Sequence, residues 1–192
     1  MAPVTWSSRR FSLAIATVVA LGFAGIASAQ VFDPDFDVPA SGGSINDIER
    51  AGDTVYVGGS FTCIGPYGFT GAGVPFSTST GLPLQPFLGV SGTITSVAAD
   101  GAGGWYIGGS FSSVGGLPRQ NLAHVQSDLS VSSWNPGADG IVASLATDGS
   151  AVYAAGDFVN IGGAARPKMA AISTTTGLAT SWSTVWTTYP YL

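Results

Sequence analysis

One seven-residue stretch occurs three times in the sequence and indicates the class of fold. Residues 55–61 read VYVGGSF, residues 105–111 read WYIGGSF and residues 152–158 read VYAAGDF, so that successive copies end 50 and 47 residues apart. The flanking sequence repeats too, with an apolar segment before each copy and a glycine-containing loop after it. A period of this length is typical of repeat architectures, in which each repeat is one supersecondary unit.

Each unit is predicted to hold four short strands, which in the second unit are residues 94–99, 105–110, 121–126 and 130–134. The pair Asp100-Gly101 suits the first turn because glycine adopts a positive φ at no steric cost. The second strand is nearly continuously apolar, which indicates burial on both faces, as in a sheet between two similar sheets. Four-stranded units of about 40–50 residues arranged radially form a β-propeller.

The predicted fold class is therefore all-β, with about three propeller blades of four antiparallel strands. The predicted units are approximately residues 41–89, 90–137 and 138–186. Charged residues are only 9% of the 192-residue chain, against about 25% in a typical protein. With 28 glycines this composition favours β-structure with tight turns over a helical bundle, a coiled coil or a nucleic-acid-binding protein.

The first 29 residues contain the three regions of a secretory signal peptide in their usual order. Arg9 and Arg10 precede an uncharged apolar run at 11–26, and residues 27–29 read ASA, a small-residue cleavage site. As a helix the run would span about 24 Å, less than the ~30 Å hydrocarbon core that an uncleaved anchor must cross. The sequence thus predicts a signal-peptide helix at 1–29 and a secreted, periplasmic or cell-surface domain at 30–192.

The exported part is acidic. It holds four basic against eleven acidic side chains, a net charge of −7, which opposes binding to nucleic acid or to anionic lipid. No later apolar run is long enough to span a bilayer. General and twin-arginine export both remain open.

The repeat resembles the delta-60-type β-propeller repeats of exported bacterial proteins. The resemblance rests on the aromatic-Val-Gly-Gly-Ser-Phe core, the Gly-Gly loop, an arginine before the third strand (Arg119, Arg166) and the closing WNPGA at 134–138. It implies a propeller, commonly within a larger secreted or surface protein, and no catalytic residues. Kelch repeats are the nearest rival. The first unit lacks the arginine and reads YGFTG at 67–71, which leaves its third strand in doubt.

Few residues offer chemistry, and the sequence predicts no catalytic, cofactor-binding or metal-binding residues and no cofactor. His124 is the only histidine; a Ser-His-Asp triad is disfavoured without a Gly-x-Ser-x-Gly elbow, and His124 is expected to be a strand side chain. The alternating Asp33, Asp35 and Asp37 lack the ligand pattern of a calcium loop. Asp47 and Glu49 share one strand face, where an exposed position is expected rather than a glycosidase cleft.

Other notable residues have structural explanations. Arg119 and Arg166 are expected to bond carbonyls at a blade edge, with anion or polysaccharide contact as the alternative. Cys63, the only cysteine, is expected to be buried. The tryptophans at the repeated positions are expected to pack in the core rather than stack on sugars, and the polar residues after the glycine pairs to cap backbone groups. These two sets are Trp105, Trp134 and Trp182, and Ser60, Ser110 and Asp157.

Three units are fewer than the ~4–8 blades that close a propeller. The open blade faces would be apolar and prone to self-association. A piece of a longer propeller is favoured here over two copies that join into one ring.

The predicted function is an exported non-enzymatic binding or scaffold module for an unknown protein or glycan ligand. Its candidate contact loops are 62–73, 112–119 and 159–166. The alternatives are an extracellular propeller hydrolase or oxidoreductase acting on a carbohydrate or small molecule, and a non-functional remnant.

Overall fold

The computed structural model describes residues 40–64 and 71–182, all within the compact unit Asp35–Leu192. The predicted signal peptide at 1–29 and the aspartates at 33, 35 and 37 lie outside the described residues. So do residues 65–70 of the first candidate loop and the end of the third predicted unit.

In the described part the chain is all-β and contains no helix, as the composition and the repeat predict. Its strands are β1 (Ala40–Ser41), β2 (Ile45–Ala51), β3 (Thr54–Gly59), β4 (Cys63–Ile64), β5 (Gly73–Ser77), β6 (Val90–Ala99), β7 (Trp105–Val114), β8 (Leu117–Pro118), β9 (Leu122–Val125), β10 (Ile141–Thr147), β11 (Ala151–Asp157), β12 (Asn160–Ile161), β13 (Ala164–Ala165) and β14 (Met169–Ser173).

The strands form three main antiparallel sheets of matching topology. The first has the order β2-β3-β5 and the third has the order β10-β11-β14. In the second sheet β6 and β9 flank β7, and β8 extends the far end of β7 as a hairpin. Two-stranded ribbons, β1–β4 and β12–β13, lie at the corresponding ends of the first and third units. Each sequence repeat therefore corresponds to one sheet, and no described sheet closes on itself.

One prediction about strands needs correction, and the third strand of the first unit, which the sequence leaves in doubt, is present. The fourth strand of each unit is reduced to a single antiparallel bridge: Phe76 to Pro83, Val125 to Val131 and Ile172 to Ala179. The third strand of the first unit is fully formed as β5, although this unit lacks the arginine. The arginine is thus not required for the third strand to pair.

The first strand of each sheet has a β-bulge at the same place. The register with the second strand shifts after Ile45, after Ile94 and after Val142, so that one extra residue is inserted each time. A bulge re-aims the side chains beside it. At the first two bulges those side chains reach the next sheet. Asn46 Nδ2 donates to the carbonyl of Ile94 at 2.7 Å, and Thr95 Oγ1 donates to the carbonyl of Val142 at 2.5 Å.

Consecutive sheets pack face to face, with β6 against β2 and β3, and β10 against β6 and β7. One buried cluster joins Tyr56 of the first sheet to Ile94 and Trp105 of the second. A second cluster joins Tyr106 and Trp134 of the second sheet to residues of the third, including Val142 and Val152. Two of the three buried clusters therefore lie between the sheets, which is why the second strand is apolar on both faces; the third, which includes Val57, Val74 and Phe76, lies on the other face of the first sheet.

The first glycine of each intact pair lies where the next sheet approaches closely. A Cβ atom on Gly58 would lie 2.5 Å from Ile94 Cγ2, and one on Gly108 would lie 2.7 Å from Val142 Cγ1. Real Cβ atoms do not approach heavy atoms so closely. The glycine pair recurs because the next sheet packs against its first member, whereas the second member packs against a carbonyl of its own sheet.

Candidate functional site

An open groove of about 620 Å³ lies beside the second unit, at the candidate loop 112–119. Its wall is mostly polar and consists of Ser91, Ser110, Phe111, Ser112, Pro118, Arg119, Gln120, Asn121 and Asn135. The hydroxyls of Ser110 and Ser112 and the amides of Gln120 and Asn135 are exposed, and they have no hydrogen-bond partner among the described residues. These groups are therefore available to a ligand that carries hydroxyl or amide groups.

Asn121 sets the shape of this groove. Its φ of 64° lies in the left-handed region that asparagine tolerates better than most residues. Its side chain accepts the N–H of Phe111 at 3.0 Å and donates to the carbonyl of Ala138 at 2.9 Å. Because both ends of the amide are engaged, Asn121 holds the groove wall in place.

Arg119 and Arg166 bond carbonyls, as the sequence predicts. Arg119 donates through Nη1 to Pro118 at 2.7 Å and through Nη2 to Ser132 at 2.6 Å. Arg166 makes the equivalent bonds to Ala165 at 3.0 Å and to Thr180 at 2.9 Å. Each arginine connects the loop after the second strand to the outer segment of its own unit. Both terminal nitrogens of its guanidinium group therefore already donate to carbonyls.

The corresponding surface of the third unit is charged. Where the second unit has Ser110 and Asn121, the third has Asp157 and Lys168, which form an exposed ion pair. Where the second unit has Gln120, the third has Pro167. The neutral, hydrogen-bonding surface of the second unit thus does not recur in the third, so the repeat alone does not account for it.

A second polar cluster lies in the second unit and consists of Asp100, His124 and Ser132. His124 Nε2 lies 2.9 Å from Asp100 Oδ2, and His124 Nδ1 lies 3.2 Å from Ser132 Oγ. The imidazole stacks on Tyr106, with ring centres 4.5 Å apart. His124 is a strand side chain of β9, as the sequence predicts, and the two hydrogen bonds fix its ring.

Asp100 is the carboxylate of this cluster, and it accepts three hydrogen bonds. Burial alone would raise the pKa of Asp100, but hydrogen bonds from His124 and from the N–H groups of Ala102 and Gly104 outweigh it. The net effect holds the pKa of Asp100 below its ordinary value of 3.8. The carboxylate is therefore kept ionised and serves the turn as well as the histidine.

Sequence reasoning missed this cluster because it looked for a nucleophile elbow. The available signal was the departure from the repeat, since β9 carries His124 where β14 carries Ala171 and β5 carries Pro75. The Ser132 hydroxyl oxygen also accepts the N–H of Trp134 at 3.2 Å. None of the three residues lines the 620 Å³ groove.

Asp47 and Glu49 share one strand face, but that face is not exposed as expected. Asp47 Oδ2 accepts the N–H of Val97 at 2.7 Å, and Glu49 accepts the N–H of Ala99. Burial and the neighbouring Asp47 charge raise the pKa of Glu49, against the lowering effect of the Ala99 bond. The pair faces β6 because the bulge in β2 turns it toward the second sheet, and it connects two sheets instead of lining a cleft.

The remaining predictions about single residues have mixed outcomes. Trp105 and Trp134 are buried as expected, but Trp182 is 40% exposed because no further described sheet covers it. Cys63 is half-buried rather than buried, since it lies in the two-residue edge strand β4. Ser60 caps the N–H of Ser44 at 3.0 Å as predicted, whereas Ser110 faces the groove and Asp157 pairs with Lys168.

The described residues include no helix with the length and apolar content to cross a bilayer. Within residues 40–64 and 71–182, no three acidic, histidine or cysteine side chains gather as they would around a metal ion. The chain matches no protein-family model, and neither the curated proteins nor the solved structures yielded a match.

Proposed function

We infer that this chain is an exported, non-enzymatic repeat module of the β-propeller type, and that the groove of its second unit is its ligand-binding surface. The blade interpretation is supported by three sheets of matching topology that correspond to the three sequence repeats. It is supported further by the repeated bulge and by the glycine contact between consecutive sheets. The bridge at the outer edge of each sheet stands where the fourth strand of a blade would lie.

The single observation that carries the binding role is the neutral, hydrogen-bonding wall of the groove. Exposed hydroxyls and amides bind ligands rich in hydroxyl groups through paired donors and acceptors. The only charged side chain in the wall, Arg119, has its terminal nitrogens bonded to carbonyls. This chemistry favours a neutral glycan over a phosphate or a nucleic acid. It also agrees with the net negative charge of the domain, which disfavours anionic partners.

A rigid frame makes the groove suitable for recognition. Asn121 and Arg119 are each fixed by two hydrogen bonds. Binding residues on loops held by a rigid scaffold lose little conformational entropy when the ligand arrives. Gln120 and Asn135, which project from this frame, are the side chains expected to contact the ligand.

The test is a titration of the purified protein with a panel of neutral oligosaccharides built from glucose, mannose, xylose or galactose, followed by heteronuclear NMR. We expect at least one of them to shift the amide signals of Gln120 and Asn135. The double variant Gln120→Ala/Asn135→Ala should weaken that binding at least tenfold, whereas Thr175→Ala, on an exposed turn of the third unit, should leave it unchanged. Absence of binding across the panel, or binding indifferent to the double variant, would reject this function.

Hydrolysis is a second candidate function, favoured by one observation, the hydrogen-bonded order Asp100–His124–Ser132. In this order the histidine could accept the proton of the serine hydroxyl while the carboxylate orients the ring. The hydrogen bond from the Trp134 N–H to Ser132 Oγ disfavours hydrolysis, because Ser132 Oγ is the oxygen that would attack the substrate. Turnover of a p-nitrophenyl ester that disappears in Ser132→Ala would favour hydrolysis over the binding role.

A further inference from the structure

The connector between the second and third units, residues 134–138, contributes one residue to the groove. It reads WNPGA, and Asn135 is its member in the groove wall. The Asn135 amide is exposed, whereas the preceding residue, Trp134, is only 7% exposed. An exposed amide of the groove therefore follows directly on a buried indole, and the position of one depends on what holds the other.

The side chain of Trp134 contacts both units. Its ring centre lies 5.0 Å from that of Tyr106 in the second sheet. Its indole N–H donates to the carbonyl of Ser173 at 2.9 Å, and Ser173 is the last residue of β14 in the third sheet. Trp134 also belongs to the buried cluster that contains Val142 and Val152 of the third sheet. Trp134 is thus held by the third unit as well as by its own.

The chain that follows Asn135 is bonded to the third unit too. The N–H of Gly162 donates to the carbonyl of Pro136 at 3.1 Å and to that of Gly137 at 3.2 Å. Asn135 therefore lies between two points of attachment, and the bonding partner at each point belongs to the third unit. Neither partner, Ser173 or Gly162, lines the groove.

The end of the connector is bonded back to the groove wall. The N–H of Ala138 donates to the carbonyl of Gln120 at 3.1 Å, and the carbonyl of Ala138 accepts Asn121 Nδ2 at 2.9 Å. The two amide residues on the other side of the groove are therefore fixed relative to the connector. A shift of the connector against the third unit would change the distance between Gln120 and Asn135.

We propose that Trp134 is a positioning residue of the groove, which acts through Asn135 by its bond to the third unit. The proposal rests on the proposed binding function. Hydrogen bonds to a ligand require donor–acceptor distances of about 2.7–3.2 Å, so a small shift of Asn135 weakens them. Binding in the groove of the second unit therefore depends on the third unit, although no third-unit residue lines that groove. Because such coupling is reciprocal, a bound oligosaccharide also strengthens the contact of the connector with the third unit.

Two matched substitutions test the role of the indole N–H. Trp134→Phe removes this donor and keeps an aromatic ring. Trp105→Phe is the control, because Trp105 is also buried, its indole N–H has no hydrogen-bond partner among the described residues, and it does not line the groove. Both variants are titrated with the panel of glucose, mannose, xylose and galactose oligosaccharides. We expect Trp134→Phe to weaken binding about two- to tenfold, as for the loss of one hydrogen bond, and Trp105→Phe to leave it unchanged.

A double-mutant cycle shows whether Trp134 acts through Asn135. In the Asn135→Ala background, Trp134→Phe should cause little further loss of affinity, because the side chain that Trp134 positions has been removed. Equal losses in both backgrounds would mean that Trp134 acts only by stabilising the fold, and they would overturn the proposal. An unchanged affinity of Trp134→Phe for every oligosaccharide that the parent protein binds would overturn it too.

Hydrogen exchange of the Gly162 amide measures the contact between the connector and the third unit. In the absence of oligosaccharide, the Gly162 N–H should exchange faster in Trp134→Phe than in Trp105→Phe, because only the first variant loosens the connector. In the parent protein, a saturating oligosaccharide of the panel should slow this exchange. Exchange that is no faster in Trp134→Phe, or that the bound oligosaccharide does not slow, contradicts the proposal.

These measurements separate the proposal from the binding function on which it rests. If no oligosaccharide of the panel binds, the binding function fails, and the exchange rates of the two free variants still decide whether Trp134 holds the connector. If Trp134→Phe does not fold, the effect of the bound oligosaccharide on Gly162 exchange in the parent protein decides. Binding that weakens equally in Trp134→Phe and Trp105→Phe rejects the positioning role and leaves the binding function intact.

Discussion

The carboxylate of Asp47 accepts the backbone N–H of Val97 at 2.7 Å, and this bond crosses from the first sheet to the second. The same place in the next unit holds Ser96, whose hydroxyl accepts the N–H of Leu145 in the third sheet. A conspicuous acidic residue is thus the first member of a repeated polar contact between sheets. Its carboxylate accepts the N–H of Val97, a backbone donor that is not paired within its own sheet.

Replacing Asp47 should destabilise the protein. Asp47→Ala leaves the N–H of Val97, a buried residue, without its acceptor, which costs about 1–3 kcal/mol of unfolding free energy. Urea denaturation measures the loss. Asp53→Ala removes an equal charge from an exposed turn and should change the stability by no more than about 0.5 kcal/mol. Equal effects of the two substitutions would show that the inter-sheet bond contributes nothing.

A methyl group at Gly108 should force the second and third sheets apart. The new Cβ in Gly108→Ala would meet Val142 Cγ1 at 2.7 Å and Leu145 Cδ1 at 3.1 Å. Overpacking of this kind costs about 1–3 kcal/mol. Gly89→Ala is the control, because no atom lies within 4 Å of a Cβ at Gly89. Thermal unfolding that ranks the two variants equally would contradict the close approach.

Two tyrosines at equivalent positions should respond oppositely to loss of the hydroxyl group. The hydroxyl of Tyr56 is buried without a partner among the described residues, whereas that of Tyr153 donates to Asp148 at 2.9 Å. Tyr56→Phe should therefore raise the unfolding free energy by about 1 kcal/mol, since an unsatisfied buried hydroxyl is removed. Tyr153→Phe should lower it, because the hydrogen bond to Asp148 is lost. Chemical denaturation measures the unfolding free energy of both variants. A loss of stability in Tyr56→Phe would contradict the buried, unpaired environment of the hydroxyl.

Stability should depend on pH through Asp100. Its pKa is lower in the folded chain than the ordinary value of 3.8, so folding favours its ionised form. The stabilisation is fully present above about pH 4 and is lost as the pH falls below 3.8 through the folded-state pKa. Asp100→Asn should be less stable than the parent protein at pH 7, by up to about 1 kcal/mol because the carboxylate is partly solvated, and the difference should shrink in acid. Asp53→Asn serves as the control, and a difference that does not vary with pH would refute the role given to the Asp100 carboxylate.

Much of the fold can be predicted from the sequence repeat. Particular residues show which contacts between sheets cannot be predicted in this way. The strands around Tyr56, Tyr106 and Tyr153 follow from an apolar stretch that is too continuous for a one-sided sheet. The glycine pairs indicate that other atoms approach the backbone closely at these positions. They do not indicate that Gly58 contacts Ile94 of the next sheet. That partner depends on a bulge whose position no local pattern in the sequence marks.

The candidate site was predictable only in part. The position of the loop at 112–119 after the glycine pair predicts a contact loop, and this loop borders the groove. The bonds among Asp100, His124 and Ser132 join three different segments of the second unit, and spacing along the chain does not encode such contacts. Its place at the same repeated apolar position as Trp134 predicts that Trp182 lies in the core, yet burial at this position requires a following sheet.

Consecutive repeats form sheets that stack face to face through the first glycine of each pair. A methyl-directed NOE experiment on the labelled protein measures these contacts. We expect cross-peaks from the α protons of Gly58 to the Cγ2 methyl of Ile94, and from those of Gly108 to a methyl of Val142. Cross-peaks from these glycines only to methyl groups of their own sheets would contradict the stacked arrangement.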